Sequence, residues 1–287
     1  MKPRAFEYVR AVSLQDVFAV LDSHGDEAKV LAGGQSLVPA LNMRLAAPEI
    51  VIDMNAVAEL RGIAVTGGML RIGAMNRYAE VAASELVARH APLLARAIPF
   101  IAHPAIRNRG TLGGSLCNAD PASELPACAL ALQAMFHLRS SAGERSIAAE
   151  EFFAGTYTTV LEPTEVLVSV DVPLAAADSV SFFDEVARRQ GDYAMAGLAA
   201  CAVRRGGVLR DVRLAFFAVS DMPHLADAAM AEAEGQPAAD LDVEAVCAAL
   251  GKGFTPQEDL TTSGAAKLHL MKVLTRRALT AFAGGEA

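Results

Sequence analysis

Apolar positions at Leu14, Val17, Phe18, Val20 and Leu21 recur with helical spacing, and Ser13 stands where a helix cap belongs. Short extended runs flank that helix: residues 6–9 before it, "AKVLAGG" after it, and "EIVIDMN" beyond a second helical stretch at residues 37–45. The order is β-α-β-α-β. "LRGIAVTGGMLRIGAM" alternates as two extended runs about Gly67 and Gly68, which predicts a hairpin. Asn76 is expected to cap a helix carrying Tyr78 and Val81, and residues 92–100 predict another. "IRNRGTLGGSL" reads as a glycine-rich loop, residues 121–132 as a buried helix, and "AMFHL" and "VLVSVDVP" as strands.

Near residue 176 the pattern changes. Three long extended segments, "SVSFFDEVARR", "AMAGLAACAVRR" and "VLRDVRLAFFAVS", are followed by helical stretches at about 225–234, 242–250 and 265–282. Strands followed by helices predict a three-stranded antiparallel sheet with helices on one face, an α+β domain. We expect a boundary there, with residues 1–176 and 177–287 as separate domains.

Hydrophobic residues make up 53% of the 287, enough for a sizeable core. The net charge is -8 and no basic run is interleaved with aromatics, which argues against nucleic acid as a partner. No apolar run is long enough for a membrane span, and the charged start lacks the apolar core of a signal peptide. The cytoplasm is therefore the expected location. The only loose end is the "AGGEA" tail. Cys117, Cys128, Cys201 and Cys247 have no CxxC spacing and no histidine beside them in a ligand pattern. They read as buried thiols, and no metal site is expected.

Two glycine segments carry the chemistry: "AGGQS" (Ala32, Gly33, Gly34, Gln35, Ser36) and "GTLGGS" (Gly110 to Ser115). Neither is GxGxxG leading into a helix, and neither is GxxxxGK[ST]. Both pair glycines with a hydroxyl residue. Backbone without Cβ can approach closely, and successive N–H groups can cradle an anion. Each segment alone could be a tight turn. Together, with Arg107 and Arg109 just before the second, they point to a diphosphate gripped from two sides. Arg71 and Arg77 read as ordinary surface charges. After the second loop, Asn118, Asp120 and Glu124 are polar positions in a run of small apolar ones. Asp120 could cap the next helix, and Glu124, expected inside it, could accept from a ribose or ribityl hydroxyl.

Taken together, "LAGGQSL…VIDMN", "HPAIRNRGTLGGSLCNADPASELPA" and "RRQGDYAMAG" resemble the FAD-binding medium subunit of molybdenum hydroxylases, the family of the carbon monoxide dehydrogenase medium subunit and the xanthine dehydrogenase FAD subunit. The resemblance covers essentially the whole chain. It implies an FAD-binding domain of the vanillyl-alcohol oxidase type in two α/β lobes, split near 56–60, then the C-terminal α+β domain. It also implies FAD contacts from Ala32, Gly33, Gly34, Gln35, Ser36 and Leu37, and from Thr111, Gly113, Gly114 and Ser115 at the diphosphate. Ile101, Ala102 and Leu167 would line the flavin, with Asn118, Asp120 and Glu124 nearby. Tyr193 matches the aromatic that approaches the isoalloxazine in the carbon monoxide dehydrogenase branch, where it would stack or gate.

Some positions depart from that pattern. Glu185 stands where relatives can carry lysine, and Gln35 replaces a histidine. The four scattered cysteines argue against an inserted iron–sulfur cluster. No residue in the first loop is placed for a covalent flavin bond, so non-covalent FAD is expected. By the resemblance, a large subunit carries molybdopterin, a small subunit carries two [2Fe–2S] clusters, and FAD passes electrons to an external acceptor. The assembly implied is a dimer of heterotrimers. The alternatives are a self-contained FAD oxidoreductase, with Asp192 as its only acid or base beside Tyr193, and a structural protein that kept the fold without flavin.

Overall fold

The computed structural model describes residues 2–284, so the end of the "AGGEA" tail lies outside the described residues. The chain begins with a small parallel lobe: β1 (Glu7–Arg10), α1 (Leu14–His24), β2 (Ala28–Leu31), α2 (Leu37–Asn42) and β3 (Ile50–Asp53), with strand order β1-β3-β2. Ser13 caps α1 in a reciprocal box with Asp16, which satisfies two donors that the first helical turn leaves open. Leu14, Val17, Phe18 and Leu21 bury one face of α1 with Ile50 and Ile52. Each such burial is worth about 1.5–3 kcal/mol.

The second lobe is built on an antiparallel sheet of order β4-β5-β10-β6-β7. Its hairpin is β4 (Ile63–Thr66) and β5 (Met69–Gly73), with Gly67 and Gly68 at φ 57° and 76°, the paired positive φ that a two-residue turn requires. Helices α3 (Tyr78–Ala82), α4 (Glu85–His90), α5 (Pro92–Ala97), α6 (Pro104–Arg107), α7 (Leu112–Asn118) and α8 (Glu124–Ala131) follow. Next come β6 (Met135–Ser140), β7 (Gly143–Ala148), α9 (Ala149–Phe152), the small pair β8 (Phe153–Gly155) and β9 (Thr158–Thr159), and β10 (Val166–Pro173).

Sequence and structure differ here in three places. The cap of α3 is Arg77, whose N–H donates to Glu80, whereas Asn76 is buried and donates to the Gly62 and Gly73 carbonyls at the base of the hairpin. Residues 92–100 form α5 and then a 3-10 turn, because Pro99 cannot continue the α-helical ladder. "IRNRGTLGGSL" is mostly two helices. Gly113 and Gly114 sit in the first turn of α7, where Thr111 Oγ accepts from the Gly114 N–H at 3.1 Å.

The C-terminal region is β11 (Ser179–Ala187), β12 (Ala194–Arg205), β13 (Val208–Phe217), β14 (His224–Leu225), α10 (Asp227–Ala233), α11 (Val243–Ala249) and α12 (Gly264–Ala283). Its sheet has four strands in the order β11-β12-β13-β14, since two residues after β13 pair back onto it. One face, with Phe182, Leu198, Leu214 and Phe216, is covered by the three helices. Phe183, Ala199, Ala215 and Phe217 on the other face join the core of the second lobe, where α5 and α8 pack against the sheet. Helices therefore cover both faces, one set from each region.

Candidate functional site

The two glycine segments are in contact. A β-carbon on Gly33 would lie 2.5 Å from the Arg109 carbonyl oxygen and 2.7 Å from Gly110 Cα. One on Gly114 would reach the Ala32 β-carbon at 3.5 Å. Gly113 lies equally close to Ala74, and Gly110 lies against the Tyr78 ring. These glycines are required where backbone meets backbone or ring. Gly34 adds a positive φ of 72° that turns the chain into α2.

A polar clamp closes the junction. Asn55, just after β3, donates to the Ala32 carbonyl at 2.9 Å. Arg77 donates both to Asn55 Oδ1 and to the Arg109 carbonyl. So Arg77 is half-buried and ties the loops together; it is no ordinary surface charge. Arg71 pairs with Asp171 through two bonds of 2.7 Å on the sheet. Arg107 holds the carbonyls of Ile101 and Ala102 at 2.9 and 3.0 Å, while Arg109 is exposed.

The donors left at the two loops are unequal. Among the described residues, the backbone N–H groups of 33–37 have no acceptor within the chain, and the Ser36 hydroxyl makes no cap bond. Gln35 folds back to donate to the Gly33 carbonyl at 2.9 Å. In the second segment the N–H groups of Leu112, Gly113, Gly114 and Ser115 are engaged by Asn76, Ala74 and Thr111. Ser115 Oγ lies 2.8 Å from Ser123 Oγ. Thr111, only 1% exposed, is the structural pin of this loop.

Beyond the loops lies a second cluster. Ile101 is buried, and Ala102 takes a positive φ of 43°. The turn between β11 and β12 rests on it, since a β-carbon on Gly191 would be 3.0 Å from the Ala102 carbonyl. Ala119 ends α7 in the left-handed conformation, and its carbonyl accepts from the Tyr157 N–H at 3.0 Å. The Tyr157 hydroxyl donates to Asp120 at 3.2 Å. Burial, and Asp120 beside it, push Tyr157 up to about 12. Tyr193 is 73% exposed and is raised by the same two causes. Asp120 does not cap α8; it accepts from Ala122 and from the tyrosine, and Ser123 holds the cap position. Glu124 is the first residue of α8, pushed up to about 7 by burial. Glu185 is pushed up to about 8, by burial and then by Glu124. Asn118 is half-buried at the end of α7, and Leu167 is in the core on β10.

Sequence reasoning missed Asn55, Arg77 and Tyr157. Asn55 lay in view within "VIDMN"; Tyr157 carried no signal, because only the fold brings it to Asp120, 37 positions away.

Unengaged N–H groups at a glycine turn fit an anionic group such as a diphosphate. The arrangement defines an anion-binding loop junction beside a second polar cluster. Residues 4–175 match the FAD-binding domain of molybdopterin dehydrogenases, and residues 181–282 match the C-terminal domain of carbon monoxide dehydrogenase flavoproteins. The chain belongs to the family of FAD-binding medium subunits of molybdenum hydroxylases. It is 44% identical over 199 residues to the 6-hydroxypseudooxynicotine dehydrogenase complex subunit alpha of Paenarthrobacter nicotinovorans, covering 69% of this chain and 67% of that one. It is 36% identical to the carbon monoxide dehydrogenase medium chain of Hydrogenophaga pseudoflava, covering 98% of each. The solved carbon monoxide dehydrogenase of Hydrogenophaga pseudoflava superimposes with a TM-score of 0.95 at 38% identity over 100% of both chains.

Proposed function

We propose that the chain is the electron relay of a cytoplasmic molybdenum hydroxylase. In this reading a large subunit oxidises substrate at molybdopterin, and a small subunit passes electrons through two [2Fe–2S] clusters to FAD here. An external acceptor then removes them, and the complex is a dimer of heterotrimers. The reading is carried by the end-to-end match to a carbon monoxide dehydrogenase medium chain, 98% of each length. FAD suits the post because it accepts electrons singly and can release two.

The chain's own residues would bind, orient and cover it. Residues 1–176 form the FAD-binding domain in two lobes split near 56–60, and 177–287 close it from the other side. Ala32, Gly33, Gly34, Gln35, Ser36 and Leu37 would hold the diphosphate, through the unengaged N–H groups of 33–37, together with Thr111, Gly113, Gly114 and Ser115. Ile101, Ala102 and Leu167 line the ring, and Asn118, Asp120 and Glu124 provide its polar surroundings. Tyr193, held near Asp120, would cover the ring and screen it from water. The self-contained oxidoreductase is disfavoured because Asp192 is tied to Arg189 at 3.0 Å on an exposed turn.

Anaerobic mixing of the FAD-loaded chain with a reduced [2Fe–2S] partner subunit tests the relay. Flavin bleaching on mixing is expected. No bleaching, with the chain alone oxidising a substrate, would replace the relay with the self-contained enzyme.

A further inference from the structure

Strand β11 is an open edge of the C-terminal sheet: β12 pairs along one side of it, and no strand among the described residues pairs along the other. At nine residues it is the longest such edge, the others running from two to six. Its only bulge comes at the end, between Val186 and Ala187, so the stretch before it is regular. The Ser179 N–H donates to the Ala176 carbonyl and the Glu185 N–H to the Asp184 side chain, so neither engages β12. Alternate residues of an antiparallel ladder face the same side, so the N–H and C=O groups of Ser181 and Phe183 also point outward. A long open edge is a template for pairing with another chain, and proteins ordinarily blunt it.

The helical layers on either side reach past this edge. Pro92 and Arg96 of α5 line one wall of a groove of about 800 Å³, Arg277 and Ala281 of α12 line the other, and residues 179–184 form its floor. Phe182 packs with the α12 layer and Phe183 with the α5 layer, so a fifth strand would lie between the same two layers that sandwich β11. The walls are basic in a chain whose net charge is -8. Arg277 pairs with Asp184 but is half exposed, and Arg96 is exposed with no ion-pair partner among the described residues. Arg188 is exposed at the end of the strand. A second copy of β11 paired here would bring the arginines of both copies into one seam, which like charge opposes.

We propose that the β11 edge receives an extended, acidic segment of a partner subunit, which adds a fifth strand to the C-terminal sheet. The partner comes from the relay reading above, and the inference rests on it. Main-chain bonds to Ser181 and Phe183 supply the affinity, as in other strand additions. Successive side chains of a strand point to opposite faces. Carboxylates an odd number of positions apart therefore meet Arg96 on one wall and Arg277 on the other, and these set which segment is accepted.

The test compares the complex isolated from the native host with the full chain alone, by hydrogen–deuterium exchange read at single residues. The amides of Ser181 and Phe183 are expected to exchange at least about tenfold more slowly in the complex. Ser181→Pro removes one outward donor where an edge strand tolerates proline, so the melting temperature of the chain should hold while its affinity for the partner subunits falls about tenfold. Arg96→Glu should weaken the same affinity about threefold to tenfold, and more at low salt. In Arg96→Lys, a carbodiimide should join the new amine to an aspartate or glutamate of the partner segment. Unchanged exchange at both amides in a complex that contains its partner subunits, or a cross-link to a second copy of this chain, would overturn the proposal and leave the relay standing. Absence of partner subunits from the purified material would sink the relay reading and the proposal with it.

Discussion

Gly33 and Arg109 touch through their backbones: a β-carbon on the first would stand 2.5 Å from the carbonyl oxygen of the second. The contact joins two segments that both flank the proposed diphosphate site. Gly33→Ala must push the loops apart, at a cost of about 1–3 kcal/mol as for other overpacked positions. Gly34→Ala meets only the side chains of Leu31 and Val38 and pays mainly for its positive φ, about 1–2 kcal/mol. FAD content per purified chain should fall further in Gly33→Ala. Equal FAD retention in both variants would show that the loop contact does not shape the site.

Arg77 acts on the same junction from outside it. Its guanidinium reaches Asn55 and the Arg109 carbonyl together, a fork that lysine cannot reproduce. Arg77→Lys and Arg77→Ala should both weaken FAD affinity, and Arg77→Ala should lower stability by about 1–3 kcal/mol through the acceptors left behind. Denaturant melts with and without FAD check this. Wild-type affinity in Arg77→Lys would reduce the clamp to a single bond.

How much of this could be read from the chain differs from place to place. The parallel lobe, the hairpin at Gly67 and Gly68 and the long C-terminal strands were legible, because apolar periodicity and turn residues act locally. Gly113 and Gly114 misled: they are poor helix formers, yet Thr111 caps them and Ala74 packs on Gly113, so tertiary contact overrides propensity. The glycine pairs themselves stood out, but not that Gly33 serves a loop-to-loop contact. Arg77 and Tyr157 were invisible as site residues because their partners are distant in sequence.

Lys267 is buried at 5% exposure and donates to the Ala218 carbonyl and to Asp259, each at 2.7 Å. Ala218 sits at a φ of 60°, and its N–H reaches the Pro121 carbonyl at 2.8 Å, tying the C-terminal sheet to the approach of α8. Lys267→Met should cost about 1–3 kcal/mol by orphaning that carbonyl. The lysine, with help from Thr261, holds Asp259 well below the usual carboxylate range. A depressed carboxyl contributes stability above its unfolded pKa, near 4, and loses it as pH falls through the folded value. Thermal melts should therefore show a shallower acid-side loss in Lys267→Met than in wild type. An unchanged acid limb would remove the pair from the account.

Glu124 and Glu185 act in the opposite sense on the FAD-free chain. Their folded values of about 7 and about 8 lie above the ordinary glutamate range, so the folded state holds more protons than the unfolded one. Stability should fall as pH rises from the unfolded carboxyl range, about 4.3, toward pH 8. Glu185→Gln should flatten that decline. A melting temperature that does not fall over this range would mean that both groups ionise freely.

The central proposal is that this chain holds FAD and relays electrons from an iron–sulfur partner subunit to an external acceptor. Its most direct test is to isolate the chain from its native host with whatever accompanies it, and to record the visible spectrum and the subunit bands. The account predicts flavin absorption together with iron–sulfur absorption, and two further bands, one large and one small. A single colourless band that takes up no added FAD would contradict it.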